Sequence, residues 1–174
     1  MNWYKKAKKE ECKGWIAVRL PQKSANKIKK WGGDNIKDSI LCQEEGKGRE
    51  LDTHVTIIYG ACDNSVGEVK DILKNYKPIK VKLGKVGFFR NSPDFDVVIV
   101  KIISDDLKKL HGEIKRRLDV EETHPVYKPH SCIAYVKKGE GAQFAGDTFV
   151  EGTEITFNEV VFVDNNDKET IIKL

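Results

Sequence analysis

Asp52-Thr53-His54-Val55-Thr56-Ile57-Ile58-Tyr59-Gly60 is a short apolar run entered by a histidine. The chain returns to the same pattern 76 positions later, in Lys128-Pro129-His130-Ser131-Cys132-Ile133-Ala134-Tyr135-Val136. Both stretches read as strands, and alternate side chains of a strand share a face. His54 therefore faces the same way as Thr56, and His130 the same way as Cys132. Lys128 falls on the nominal face of His130. Tyr59 and Tyr135 fall by strict alternation on the opposite, core side. Aligned over His54–Gly60 and His130–Val136, the two strands are identical at His, Ile and Tyr.

The flanking elements repeat too. Gly14–Leu20 forms a first strand, and Pro21 opens a helix with Ala25, Ile28 and Trp31 as its apolar stripe and Gly32-Gly33 as its stop. Ile40-Leu41-Cys42 suggests a brief strand. The charged loop Glu44–Glu50 then leads into the first histidine strand, either as a rim or lid or as an ordinary surface loop. Ser65-Val66-Gly67-Glu68 is a capping box for a second helix. Lys80–Phe89 and Phe95–Ile103 are strands around the turn Asn91–Asp94. Ser104 caps a helix with Leu107, Leu110, Ile114 and Leu118 at helical spacing. After the second histidine strand come a loop at Gly139–Gly146, a strand at Glu154–Val163, a turn at Asp164–Asp167 and a last strand to Leu174.

Strand, helix, histidine strand thus occurs twice, over about 15–60 and 96–136. The fold class is α+β: two pseudo-symmetric lobes, each a mainly antiparallel sheet flanked by helices, around a central cleft. Residues 1–13 read as an N-terminal arm or short helix, and 14–174 as one bilobal domain.

Composition narrows the function. The 174 residues are 39% hydrophobic and 33% charged with a net charge of +4. That balance suits a small anionic partner better than a stable complex with long nucleic acid. No apolar run reaches the roughly 18 residues of a membrane span, and Met1–Lys13 lacks the core of a secretory signal. Cys12, Cys42, Cys62 and Cys132 show no C-x-x-C spacing, so free thiols and a cytoplasmic location are expected.

Four histidines are present. His111 lies on a helix and His124 before a proline, so neither repeats the strand pattern. Two imidazoles without a clustered carboxylate fall short of the three or four ligands that zinc wants, and no metal or other cofactor is expected. Paired imidazoles fit acid–base chemistry instead, one ring taking a proton while the other gives one. Lys128, Tyr127 and the pair Phe88–Phe89 beside Arg90 are candidates for contacting phosphate or stacking on a base.

The two motifs resemble the paired His-x-Thr/Ser signature of the 2H phosphoesterase superfamily. That group includes RNA-ligase-like 2′,3′-cyclic phosphodiesterases and phage enzymes of the anti-CBASS type that cleave cyclic oligonucleotides. The resemblance covers nearly all of the chain after about residue 14. It implies metal-independent cleavage of a 2′,3′-cyclic, 2′-5′ or 3′-5′ phosphodiester in a small nucleotide or oligonucleotide, in the cytoplasm of a host if the protein is viral. His54 and His130 would be acid and base, and Thr56 would contact phosphate. RNA 2′,3′-cyclic-phosphate end processing and a non-catalytic nucleotide-sequestering module are the alternatives. Cys132 stands where the signature has Thr or Ser. Ser131 cannot replace it, because its side chain points to the other face. A thiol is a weaker donor than a hydroxyl, and Cys132 as a nucleophile has only His130 as an obvious base.

Overall fold

Among the described residues, runs of alternating Val and Ile, broken by three amphipathic stretches, build eight strands and three helices. The computed structural model describes residues 12–62, 66–90, 92–121, 124 and 126–174. The elements are β1 (Gly14–Arg19), α1 (Gln22–Asn35), β2 (His54–Ala61), α2 (Val66–Leu73), β3 (Ile79–Phe89), β4 (Phe95–Ile103), α3 (Asp105–Arg117), β5 (His130–Lys137), β6 (Glu154–Phe157), β7 (Glu159–Val163) and β8 (Glu169–Lys173), with single 3-10 turns at Asp38–Ile40 and Gly141–Phe144. The expected arm lies largely outside the described residues, as do Ser65 of the capping box and Asn91 of the turn.

The strands are antiparallel in the order β6-β3-β4-β5-β2-β1-β7-β8. The two expected sheets are its halves, β6-β3-β4-β5 and β2-β1-β7-β8. They join where the histidine strands meet, at the pair Val55 and Ser131. The strand expected over Glu154–Val163 is broken at Asn158, and its two pieces serve opposite halves: β6 pairs with β3, and β7 with β1. Only one residue separates β6 from β7, so the two ends of the strand order must lie side by side. The sheet is therefore curled.

Each half repeats strand, helix, histidine strand, as β1-α1-β2 and β4-α3-β5. The helices cross over: α1 packs on β5 and α3 on β2. Gly32-Gly33 does not stop α1, which continues to Asn35. Gly32 serves close packing instead, since a Cβ there would sit 2.8 Å from Ile133 Cγ2 on β5. Ser104 caps α3 as the sequence indicates, its hydroxyl accepting from the Leu107 N–H at 3.1 Å. Leu41 makes only an isolated bridge to Val136, so no strand forms at 40–42.

The expectation of four free thiols fails. Cys12 and Cys62 form a disulfide across 50 positions of sequence. Antiparallel pairing explains this: Gly14 is opposite Ala61, so the residues just beyond them meet at the open end of β1 and β2. Cys42 and Cys132 remain free.

Candidate active site

His54 and His130 are the first residues of β2 and β5, at the seam between the two halves. Each ring is held by a carbonyl two residues back: His54 Nδ1 lies 2.5 Å from the Asp52 oxygen, and His130 Nδ1 lies 2.7 Å from the Lys128 oxygen. A carbonyl oxygen can only accept, so both Nδ1 atoms carry the proton and both Nε2 atoms are left for chemistry. Val55 and Ser131 are partners across the seam. Continued one residue either way, that antiparallel register sets His54 toward Cys132 and His130 toward Thr56.

Both histidine strands carry a β-bulge at the same place. Ile16 and Ala17 pair with Ile58 and Thr56, skipping Ile57. Val98 and Ile99 pair with Ala134 and Cys132, skipping Ile133. Both residues of each bulge, Ile57-Ile58 and Ile133-Ala134, are buried on the helix side. The tyrosines that follow are thereby returned to the histidine face. Strict alternation had put them in the core; instead Tyr59 is 60% exposed, and Tyr135 sits half-buried beside Cys132. The helix side satisfies the carbonyls that the first bulge turns away. His111 Nδ1 is 2.7 Å from the Ile57 oxygen, and Tyr127 Oη donates to the Thr56 oxygen at 2.9 Å. The two rings stack on one another at 4.1 Å. At the second bulge the 44–50 loop takes this role: Glu50 N–H donates to Ile133 O at 3.0 Å, and Tyr135 N–H donates to Gly48 O at 2.7 Å. The loop is thus a rim pinned to β5.

An aromatic ring and a cation flank each imidazole. Trp15 lies 5.7 Å from the His54 ring, and Phe89 meets His130 edge-on at 4.8 Å. Arg19 is the cross-strand partner of His54, and Lys101 that of His130. Arg19 is bound to both oxygens of Glu169 at 2.9 and 2.8 Å, with Asp52 beside it.

Burial pushes His130 below the ordinary imidazole range, against the stabilising hydrogen bond to the Lys128 carbonyl. The charges of His54 and His124 act in the same direction as burial. His130 is accordingly neutral at pH 7, with a free Nε2 lone pair. Burial, helped by the charge of Glu50, pushes the Cys132 thiol up to about 12, and the thiol is hydrogen-bonded with Tyr135. A thiol held neutral in this way is a poor nucleophile.

Residues 44–169, which take in both histidine strands, the bulges and the pinned rim, match the 2′-5′ RNA ligase superfamily. The chain belongs to that superfamily. It is the 2H phosphoesterase group that the paired motifs resemble. E. coli LigT in its apo form has the same fold, with a TM-score of 0.61 at 13% identity over 94% of this chain and 95% of that one. LigT complexed with 3′-AMP gives 0.56 at 14% identity over 93% and 94%. TT0787 of Thermus thermophilus gives 0.55 at 12% identity over 93% and 94%. Among curated proteins none matches the chain.

In this 2H phosphoesterase the other residues singled out from sequence are dispersed. Tyr127 is committed to His111 and to the Thr56 carbonyl, behind the face rather than on it. Phe88 points away from its neighbour: it pairs with Val98, carries the Arg90 guanidinium 4.9 Å from its ring, and abuts Gly141. Of the two phenylalanines, the one against His130 is Phe89, while Phe88 and Arg90 keep company with each other. The Lys128 side chain is exposed, and its carbonyl is the part that orients His130. Ser131 is fully buried on the helix side, as its position in the strand required. Trp15, Arg19 and Lys101 were missed. Their signal lay in β1 and β4, and only the register assigns it to the histidines. The cluster of metal-ligand types found among the described residues, Cys12, Cys62 and Glu121, includes neither histidine, and both its sulfurs are in the disulfide.

Proposed function

We propose that this chain is a metal-independent phosphodiesterase that cleaves a 2′,3′-cyclic, 2′-5′ or 3′-5′ bond in a small nucleotide by two-histidine acid–base catalysis. The observation that carries it is the matched pair of imidazoles, each locked with Nδ1–H on a carbonyl and Nε2 free, on strands joined at the seam. His130, kept neutral by burial, takes the proton from the attacking water through Nε2. His54 enters the step as the imidazolium, and the second proton, on its Nε2, passes to the departing ribose oxygen as the phosphorus–oxygen bond breaks. Thr56 donates to a non-bridging oxygen as charge builds there. Cyclic oligonucleotides of the kind cleaved by phage members of the superfamily, and RNA 2′,3′-cyclic ends, are substrates of the same chemistry with different pockets.

One observation favours a second reading, a cleft that binds a nucleotide without cleaving it. Cys132 offers a neutral thiol already engaged with Tyr135 where the phosphate grip calls for a hydroxyl. Incubation in EDTA with a panel of 2′,3′-cyclic, 2′-5′-linked and cyclic oligonucleotides separates the two. Turnover supports the enzyme, tight binding without turnover supports the module, and neither on any substrate refutes both. For the enzyme, Cys132→Thr should raise kcat/KM about five- to thirtyfold, a fraction of what one oxyanion donor supplies. An unchanged rate would show that position 132 does not touch the phosphate.

A further inference from the structure

The second bulge has a consequence for specificity at this site. Beyond Cys132, the β5 face presents Tyr135, and Tyr135 meets Phe95 of β4 edge-on at 5.5 Å. Over this pair the pinned rim places Lys47, its Nζ 4.6 Å from the Tyr135 ring and 4.9 Å from the Phe95 ring. Among the described residues Lys47 has no carboxylate in ion-pair contact. Its charge is directed at the rings and reaches the Cys132 thiol. The backbone bonds from Glu50 and Tyr135 hold the loop in place independently of the Lys47 side chain.

Resting on the phosphodiesterase reading, we propose that Phe95, Tyr135 and Lys47 form a nucleobase subsite that selects guanine over adenine. A base of any kind can stack on an aromatic face. The selection comes from the lysine, which has three donors and no acceptor. The guanine edge offers two acceptors, O6 and N7. Adenine offers N7 but sets an amino donor beside it, facing the ammonium. The distance is that of one nucleotide. Cys132 pairs with Ile99 and Tyr135 with Val97, so the platform is two β4 residues, about 7 Å, along the strand from the phosphate grip. Before a ligand arrives, the cation–π contact keeps the ammonium at this spot rather than in bulk water.

The test is equilibrium binding of 3′-GMP and 3′-AMP by titration calorimetry, which needs no turnover. The native protein should bind 3′-GMP about tenfold more tightly, near the lower end of what base-edge contacts discriminate. Lys47→Met, which keeps the aliphatic stem, should erase that ratio, and Lys47→Arg should restore it. Phe95→Leu should weaken both nucleotides by about the same factor, from roughly fivefold upward, as loss of stacking. Equal native affinities, or a guanine preference that survives Lys47→Met, would overturn the subsite and leave the phosphodiesterase standing. Absence of binding by either nucleotide, with no turnover on the panel, would overturn both.

Discussion

Replacing either His54 or His130 with alanine is expected to lower kcat by about a hundred- to ten-thousandfold, the range a single positioned acid or base supplies. The double variant should lose little more than the worse single one, because an acid and a base that move protons in one step act as a unit. Both rings are half-buried at strand starts and are hydrogen-bonded to the Asp52 and Lys128 carbonyls of their own chain segments, so the fold should survive. Unchanged thermal unfolding would confirm this. Multiplicative losses in the double variant would mean that the two imidazoles serve separate steps. A single variant within tenfold of the native rate would remove that histidine from the chemistry.

The largest expected effect on stability is at the far end of β2. Gly60 has φ +90°, and a Cβ there would come within 2.5 Å of the Glu121 carbonyl oxygen, while the Gly60 carbonyl accepts from the Glu121 N–H at 2.8 Å. Neither side can yield, because both are backbone. Gly60→Val should therefore cost about 3 kcal/mol or more from conformation and contact together. For a chain of this size that is a fall in Tm of roughly 6–12 °C. A shift under about 2 °C in thermal unfolding would show that the backbone relaxes at this point.

Much of the architecture was legible because it depends on periodicity. The stripe of α1, the Ser104 cap and the doubled order of strand, helix and histidine strand follow from residue spacing. So does the burial of Ser131. What escaped has a common physical origin in pairing between distant strands. A bulge is a mismatch of count between two strands, and nothing in Thr56-Ile57-Ile58-Tyr59 announces that β1 will pair with it one residue short. That mismatch moved Tyr59 and Tyr135 out of the core and made the rim a partner of β5. Register likewise decides that Phe89 rather than Phe88 meets His130, that Lys101 flanks it, and that Cys12 reaches Cys62. Gly32-Gly33 misled for a related reason. A glycine can end a helix or let it approach a neighbour, and only the neighbour, Ile133, tells which.

The pH dependence of kcat/KM tests the acid–base couple most directly, on whichever phosphodiester the protein turns over in EDTA. Burial lowers His130, so its neutral, proton-accepting form prevails above a pKa that lies under 6.5. The rate should therefore climb with pH through a midpoint below 6.5 and gain nothing further above it. An acid limb under 6.5 is the predicted result. A flat profile, or a rate still climbing between about pH 6.5 and 8, would contradict the assignment of His130 as the base and with it the two-histidine mechanism.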